Sequence, residues 1–71
     1  MKTETVQITT EFIRLDALLK FAGVAMSGGE AKQAIAEGYL TVNGEVCTQR
    51  GKKIRPGDRV VVADQLELIV E

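Results

Sequence analysis

The chain has no histidine and a single cysteine, and these shortages exclude several kinds of site. Cys47 has no second cysteine with which to form an intramolecular disulfide, and the usual zinc ligand sets cannot be assembled. Catalytic arrangements that pair a nucleophilic Ser or Cys with His are excluded because the chain has no histidine. No two carboxylates stand at a spacing typical of acid–base catalysis. We therefore expect no enzymatic activity, metal, cofactor or small-molecule substrate, and we interpret Cys47 as a small apolar strand residue.

Aromatic side chains are also scarce, since the chain has no tryptophan and only Phe12, Phe21 and Tyr39. We assign the phenylalanines to the core, which leaves Tyr39 as the one candidate for stacking on a base. Proteins that bind single-stranded nucleic acid usually need several such side chains. Long apolar runs are missing, and the N-terminal stretch carries acids without an apolar block, so neither a membrane span nor a secretory signal is predicted. We expect a cytoplasmic protein.

The 71 residues suffice for one domain, which we expect to span residues 1–71. A composition of 45% hydrophobic and 27% charged residues is typical of a folded chain rather than a disordered one. The net charge is −1, but its distribution is uneven. Five of the nine basic residues fall in the stretch RGKKIRPGDR, which we call the basic segment (residues 50–59). This asymmetry predicts one basic face on an otherwise acidic molecule.

A first helix is predicted over residues 14–22. Its apolar residues recur at i, i+3, i+4 and i+7 and so define one buried face. Asp16 and Lys20 stand four residues apart on the outer face and are expected to pair. Gly23 suits the left-handed position that closes a helix.

A second helix is predicted to follow the cap residue Ser27. Ser27 and Glu30 have the spacing of a capping box, in which each side chain bonds to the other residue's N–H. Small residues at 31 and 34, with Ile35, form a narrow inward stripe. Gly38 ends this helix as Gly23 ends the first.

The remaining chain predicts short strands joined by tight turns. Asn43-Gly44 is a strong hairpin signal, and Pro56-Gly57 fits the centre of a type II turn. A further turn is predicted at Asp64-Gln65. The predicted strands are residues 3–8, 39–42, 45–49, 59–63 and 66–70, with residues 50–54 as a loop or irregular strand. The predicted fold class is α+β: two short helices packed on a small, mostly antiparallel sheet of four to five strands.

Two consecutive glycines, Gly28 and Gly29, occupy the predicted first turn of the second helix. Each is about 1 kcal/mol less favourable there than alanine. A functional interpretation is that a phosphate approaches the free N–H groups of the helix N-terminus. The alternative interpretations are close packing of the glycines against the first helix and a tight turn before the second.

Residues 13–62 carry a series of motifs in a fixed order. Each is weak alone, but together they resemble the RNA-binding domain named after ribosomal small-subunit protein four, also called the αL motif. The stretch SGGEAK is similar to that of short stand-alone bacterial members. The motifs are Arg14-Leu15-Asp16, Gly23, Ser27, Ala31, Ile35, Gly38, Val42-Asn43-Gly44 and Pro56-Gly57-Asp58.

The resemblance implies binding to structured RNA, either ribosomal or transfer RNA, through the two helices and the loop beside the hairpin. Many family members carry Arg or Lys after the serine, whereas this chain has Gly28, so one phosphate-binding side chain is missing. The residues that the resemblance nominates are Arg14, Lys20, Ser27, Lys32, Gln33, Asn43 and Gly44. The helix glycines and the basic segment add Gly28, Gly29, Arg50, Lys52 and Lys53.

Two other functions remain as alternatives. The first is docking of the basic face on an acidic protein within a ribosome-associated or RNA-processing complex, and the second is DNA binding. The bases could also serve solubility alone. Binding to DNA is disfavoured because neither helix resembles a recognition helix with base-reading side chains. With few aromatic side chains, contacts to phosphates and 2′-hydroxyls of folded RNA are favoured over base-by-base recognition.

Overall fold

A computed structural model describes residues 1–71 and contains two helices and two β-sheets. The helices are short and adjacent in the chain, and the strands range from two to five residues. In chain order the elements are β1 (Lys2–Val6), β2 (Ile13–Arg14), α1 (Leu15–Phe21), α2 (Gly28–Ala36), β3 (Leu40–Val42), β4 (Glu45–Val46), β5 (Lys53–Ile54), β6 (Arg59–Val62) and β7 (Leu66–Val70).

The larger sheet has five strands in the order β1-β7-β6-β3-β4. The β6–β7, β3–β6 and β3–β4 pairs are antiparallel, and β1 pairs parallel to β7 at one edge. This confirms the predicted α+β class with a mostly antiparallel sheet. The second sheet was not predicted: β2 and β5 form a separate antiparallel pair in which Arg14 faces Lys53.

The helices cover one face of the larger sheet, and the core lies between the helices and that face. All thirteen buried residues are hydrophobic. Strand residues alternate between the two faces of a sheet, so every second residue of β3, β6 and β7 points toward the helices. The fully buried members are Leu15, Leu18, Leu19, Ala31, Ile35, Leu40, Ile54, Val60, Leu68 and Val70.

Both helices end as the sequence predicts, at glycines with positive φ. Gly23 has φ 77° and Gly38 has φ 82°, which are left-handed values that glycine tolerates without strain. The core assignment of Phe21 was wrong. Phe21, the last residue of α1, is 66% exposed. It falls outside the i, i+3, i+4, i+7 stripe, so the helical period that buries Leu15 turns Phe21 away from the sheet.

Tight turns set the register of the antiparallel strands. Asn43 (φ 52°) and Gly44 (φ 88°) both adopt positive φ, as a type I′ hairpin requires. Gly57 has φ 97°, and the Asp58 N–H donates to the Arg55 carbonyl at 3.0 Å, as in a type II turn.

The last turn lies one residue earlier than predicted. The Gln65 N–H donates to the Val62 carbonyl at 3.0 Å, which makes Ala63 and Asp64 the central residues. Both have positive φ, 51° and 55°. Alanine rarely adopts this conformation, so sequence preference had pointed to the following pair. Neither helix is long and apolar enough to span a membrane.

Candidate RNA-binding surface

The N-terminus of α1 anchors the basic segment. The first N–H groups of a helix have no partner within the helix. Here the Leu15 N–H donates to the Lys52 carbonyl at 2.9 Å, and the Asp16 N–H donates to the Arg50 carbonyl at 3.1 Å. The backbone of residues 50–52 therefore caps α1. Their side chains stay exposed, because the bonds that hold the loop use only main-chain atoms.

Arg14 joins the basic segment to the helical part of the surface. It faces Lys53 in the β2–β5 pair, and its Nη2 lies 3.8 Å from where a Cβ on Gly51 would stand. A shallow depression beside it is lined by Arg14, Asp16, Ala17, Lys20 and Gly28. The basic segment, Arg14, Lys20 and the start of α2 are thus neighbours on one face.

Asp16, the acidic residue beside Arg14, forms its ion pair with a residue other than the one predicted. Asp16 was expected to pair with Lys20, but its Oδ2 lies 3.2 Å from Nη2 of Arg14. Its Oδ1 accepts the Ala17 N–H at 2.8 Å. Because Arg14 precedes the helix in β2, it approaches Asp16 from outside the helix. Lys20 forms no ion pair and remains exposed.

The N-terminus of α2 is open. Ser27 caps it, and its Oγ accepts the Glu30 N–H at 3.2 Å. The reciprocal bond, in which the Ser27 N–H would donate to the Glu30 carboxylate, does not form, so the capping box is half complete. A Cβ on Gly28 would meet no heavy atom within 4 Å, and one on Gly29 would meet only the Ser27 Oγ, at 3.8 Å.

The open geometry removes both alternative explanations for the paired glycines. Nothing packs close enough to Gly28 or Gly29 to require the absence of a Cβ. Neither residue has positive φ, so no turn demands glycine there. The folded chain by itself therefore does not account for this pair.

Lys32 and Gln33 lie one turn further along α2, and both are exposed. Residues four apart share a helical face, so Lys32 stands on the same side as Gly28. The Gln33 side chain donates to the Glu37 carboxylate at 3.3 Å. No contact joins either residue to the basic segment. The structure brings the two residues together with the helix glycines, but not directly with residues 50–53.

Asn43 and Asp58 fasten the β3–β4 hairpin to the end of the basic segment. The Asn43 side chain donates to the Asp58 carboxylate at 3.1 Å and accepts the Arg59 N–H at 3.0 Å. Asp58 also accepts the Arg55 N–H at 2.8 Å. This backbone bond has the largest effect and lowers the pKa of Asp58; burial opposes it, and the Asn43 amide and the nearby charges of Arg55 and Lys52 lower the pKa further. Gly44 is exposed at the tip of the hairpin.

A groove runs between this hairpin and the basic segment. Val42 and the half-buried Cys47 contribute apolar surface, and the Cys47 thiol lies 3.7 Å from the Gln49 carbonyl. The charged and polar lining residues are Asn43, Glu45, Thr48, Gln49, Lys52, Lys53, Arg55 and Asp58. The groove extends the basic face from α1 toward the hairpin.

Two contacts on this face were missed from the sequence. Phe12 is half-buried rather than a core residue, and the Lys53 Nζ lies 4.9 Å above the centre of its ring. This cation–π contact holds the Lys53 stem in place. At the other end of the basic segment, Arg59 pairs with Glu67 at 3.0 Å. The Phe12–Lys53 contact links residues far apart in the chain, so no local pattern signals it, whereas Arg59 and Glu67 lie on the adjacent strands β6 and β7.

We define the basic surface as Arg14, Lys20, Gly28, Gly29, Lys32, Arg50, Lys52 and Lys53. Comparison with known proteins places the chain in a family. The family model for the S4 domain matches residues 6–70 of the chain. The chain belongs to the S4 domain family. The match extends beyond residues 13–62, which carry the resemblance, and includes residues 6–12 and β7.

Curated relatives of the S4 domain are both short and long. The chain is 42% identical over 57 residues to RlbA of Bacillus subtilis (strain 168), named as a probable ribosome maturation protein, covering 80% of each chain. It is 45% identical over 51 residues to YbcJ of Escherichia coli (strain K12), whose RNA-binding assignment is provisional, covering 72% of this chain and 73% of that protein.

Ribosomal relatives contain the same domain within a longer chain. Small ribosomal subunit protein uS4 of Thermus thermophilus is 39% identical over 59 residues, which are 79% of this chain. The chain spans only 28% of the length of that uS4. The likeness to uS4 therefore concerns the S4 domain alone.

Proposed function

We propose that this S4 domain binds folded ribosomal or transfer RNA and serves the ribosome or its maturation, without catalytic activity of its own. The observation that carries the proposal is the anchoring of residues 50–52 at the N-terminus of α1, together with the pairing of Lys53 with Arg14 between β2 and β5. That anchoring joins the densest cations of the chain to Arg14, Lys20 and the open start of α2. We propose that the protein acts in the cytoplasm.

The chemistry of the basic surface favours the RNA backbone as ligand. Lysine and arginine side chains there are exposed, and only Arg14 among them is committed to an ion pair. Phosphate contacts of this kind give affinity and orientation but carry little sequence information. The open N–H groups of α2 add an anion site beside the side chains. Selectivity would come from the shape of the folded RNA.

The salt dependence of binding tests the proposal. If about four phosphates are neutralised, the logarithm of the association constant should fall with a slope of about −3 to −4 against the logarithm of salt concentration. Fluorescence anisotropy with a labelled transcript of small-subunit ribosomal RNA, and with a transfer RNA, measures this slope. A complex that is insensitive to salt would contradict the proposal.

A pair of matched substitutions locates the contact. Lys52→Gln should weaken binding and reduce the magnitude of the slope by about 1, because one phosphate contact is lost. Lys2→Gln removes the same charge from β1, where Lys2 pairs with Glu4 at 3.3 Å, and should leave the slope unchanged. Equal effects of the two substitutions would show that total charge rather than the basic surface determines binding.

Docking on an acidic protein is the second candidate function, and the same basic surface would serve it. Ribonuclease treatment of complexes isolated from cells separates the two. An association bridged by RNA disappears on treatment, whereas a direct contact between proteins persists. Competition between folded RNA and duplex DNA of equal length tests the choice of nucleic acid.

A further inference from the structure

The groove between the β3–β4 hairpin and the basic segment is larger than phosphate binding requires. Its volume is about 570 Å³. Sites for small ligands usually have volumes of about 300–1,000 Å³. A phosphate on an exposed lysine is held from outside and occupies no groove. The groove therefore has room for a part of the RNA beyond its backbone, namely one unpaired nucleotide.

The two walls of this groove carry opposite charges. The hairpin wall contributes the carboxylate of Glu45, and the opposite wall contributes Lys52, Lys53 and Arg55. A ligand made only of phosphates would be attracted by the cations and repelled by the carboxylate, because like charges in an interface are unfavourable. A complementary ligand must offer hydrogen-bond donors to one wall and acceptors to the other.

Only some of the polar groups in the groove are free to bind. The Asn43 amide and the Asp58 carboxylate bond to each other. Each also accepts a backbone N–H, from Arg59 and Arg55 respectively. The side chains of Glu45 and Arg55 are exposed and form no ion pair, although both line the groove. A ligand between them would therefore displace no bond within the chain.

The floor between the walls is apolar. Val42 faces Glu45 across the β3–β4 pair, and both point to the same side of the sheet. Residues alternate sides along a strand, so Cys47 shares that side with Glu45. Cys47 is half-buried against the core. An apolar floor between polar walls suits the flat face of a nucleobase, whose polar groups lie on its edges.

Guanine matches these walls better than the other RNA bases. Its N1–H and its N2 amino group are adjacent donors, and the two oxygens of a carboxylate can accept both. Its O6 and N7 are adjacent acceptors, and Arg or Lys on these two atoms is the commonest specific base contact in DNA complexes. Adenine, cytosine and uracil each present only one donor group on the pairing edge.

We propose that this groove binds one unpaired guanine of the RNA, with Glu45 accepting from N1–H and N2 and with Arg55 donating to O6 and N7. The assignment depends on the proposed RNA binding and adds one base contact to it. Recognition of bases in folded RNA uses loops and bulges, where single bases are unstacked. The groove is continuous with the basic surface through Lys52 and Lys53, which would hold the neighbouring phosphates.

Stem–loop RNAs that differ only in one bulged nucleotide test the proposal. Fluorescence anisotropy should show about tenfold tighter binding to a bulged guanine than to a bulged adenine or uracil. Inosine lacks the N2 amino group and should lose most of this preference. Equal affinity for every bulge, with the expected salt slope, would overturn the guanine site and leave RNA binding intact. Absence of binding to any folded RNA would contradict both.

Glu45→Gln is the decisive variant, because a side-chain amide cannot accept two parallel bonds from guanine. We expect the preference for guanine to disappear while binding to the fully paired stem is retained. Glu4→Gln removes the same charge from β1, at the opposite edge of the sheet, and should keep the preference. A preference that survives Glu45→Gln would refute the proposed contact.

Cys47 reports the occupancy of the groove. It is the only cysteine and lies half-buried in the floor, so mass spectrometry can follow its alkylation by iodoacetamide without interference. RNA with a bulged guanine should slow the alkylation several-fold more than the fully paired stem. Equal protection by the two RNAs would overturn the proposal. Protection by free GMP at the same concentration would indicate a nucleotide site and would overturn the assignment to RNA.

Discussion

Alanine at Gly28 and Gly29 should change stability and RNA affinity in opposite directions. A Cβ at Gly28 would stand in open space, and one at Gly29 would make an ordinary contact of 3.8 Å with the Ser27 Oγ. Neither position requires positive φ, so glycine there has only its entropic disadvantage. We expect Gly28→Ala and Gly29→Ala each to raise the free energy of unfolding by roughly 0.5–1 kcal/mol.

The same methyl groups would obstruct a phosphate at the start of α2. Loss of one hydrogen bond to a charged group costs about 1.5–3 kcal/mol. The double variant should therefore bind RNA about 10- to 100-fold more weakly. Thermal unfolding followed by circular dichroism measures the gain in stability, with a rise in Tm of about 4–8 °C per kcal/mol expected for a chain of this size. Fluorescence anisotropy measures the loss of affinity.

Gly23→Ala and Gly38→Ala are the controls for stability. Each places alanine at a positive φ, 77° and 82°, and should lower the free energy of unfolding by about 1 kcal/mol or more. At Gly23 no atom lies within 4 Å of the new Cβ, so the loss there reports backbone strain alone. A double variant at 28 and 29 that is more stable yet binds RNA with unchanged affinity would refute the phosphate site.

Three further predictions concern the turns. Asn43→Gly keeps the positive φ but loses both side-chain bonds of Asn43, so urea denaturation should show a loss of about 1–2 kcal/mol. The Arg55 N–H and the Asn43 amide lower the folded-state pKa of Asp58 below its ordinary 3.8. Its stabilisation is thus present above that value and lost as pH falls through the folded-state pKa, and urea midpoints should drop more steeply in acid for the wild type than for Asp58→Asn. Ala63→Gly should stabilise the last turn by about 0.5–1 kcal/mol in thermal unfolding, because Ala63 has φ 51°.

Local features of the fold were predictable because their causes are local. Apolar spacing identified the buried face of α1, which contains Leu15, Leu18 and Leu19. Glycines with positive φ ended both helices where expected, and Asn43-Gly44 formed the expected hairpin. These outcomes depend on backbone sterics and on side-chain period within a few neighbouring residues, which the sequence displays directly.

The sequence alone also determined which residues could form a basic face, because five of the nine basic residues lie in the basic segment. Only the tertiary structure decided how these charges are joined. The β2–β5 pair, the capping of α1 by residues 50–52 and the pairing of Arg14 with Asp16 join the surface. The first two link residues more than thirty positions apart. Such contacts arise from how whole elements pack, and no local propensity encodes them.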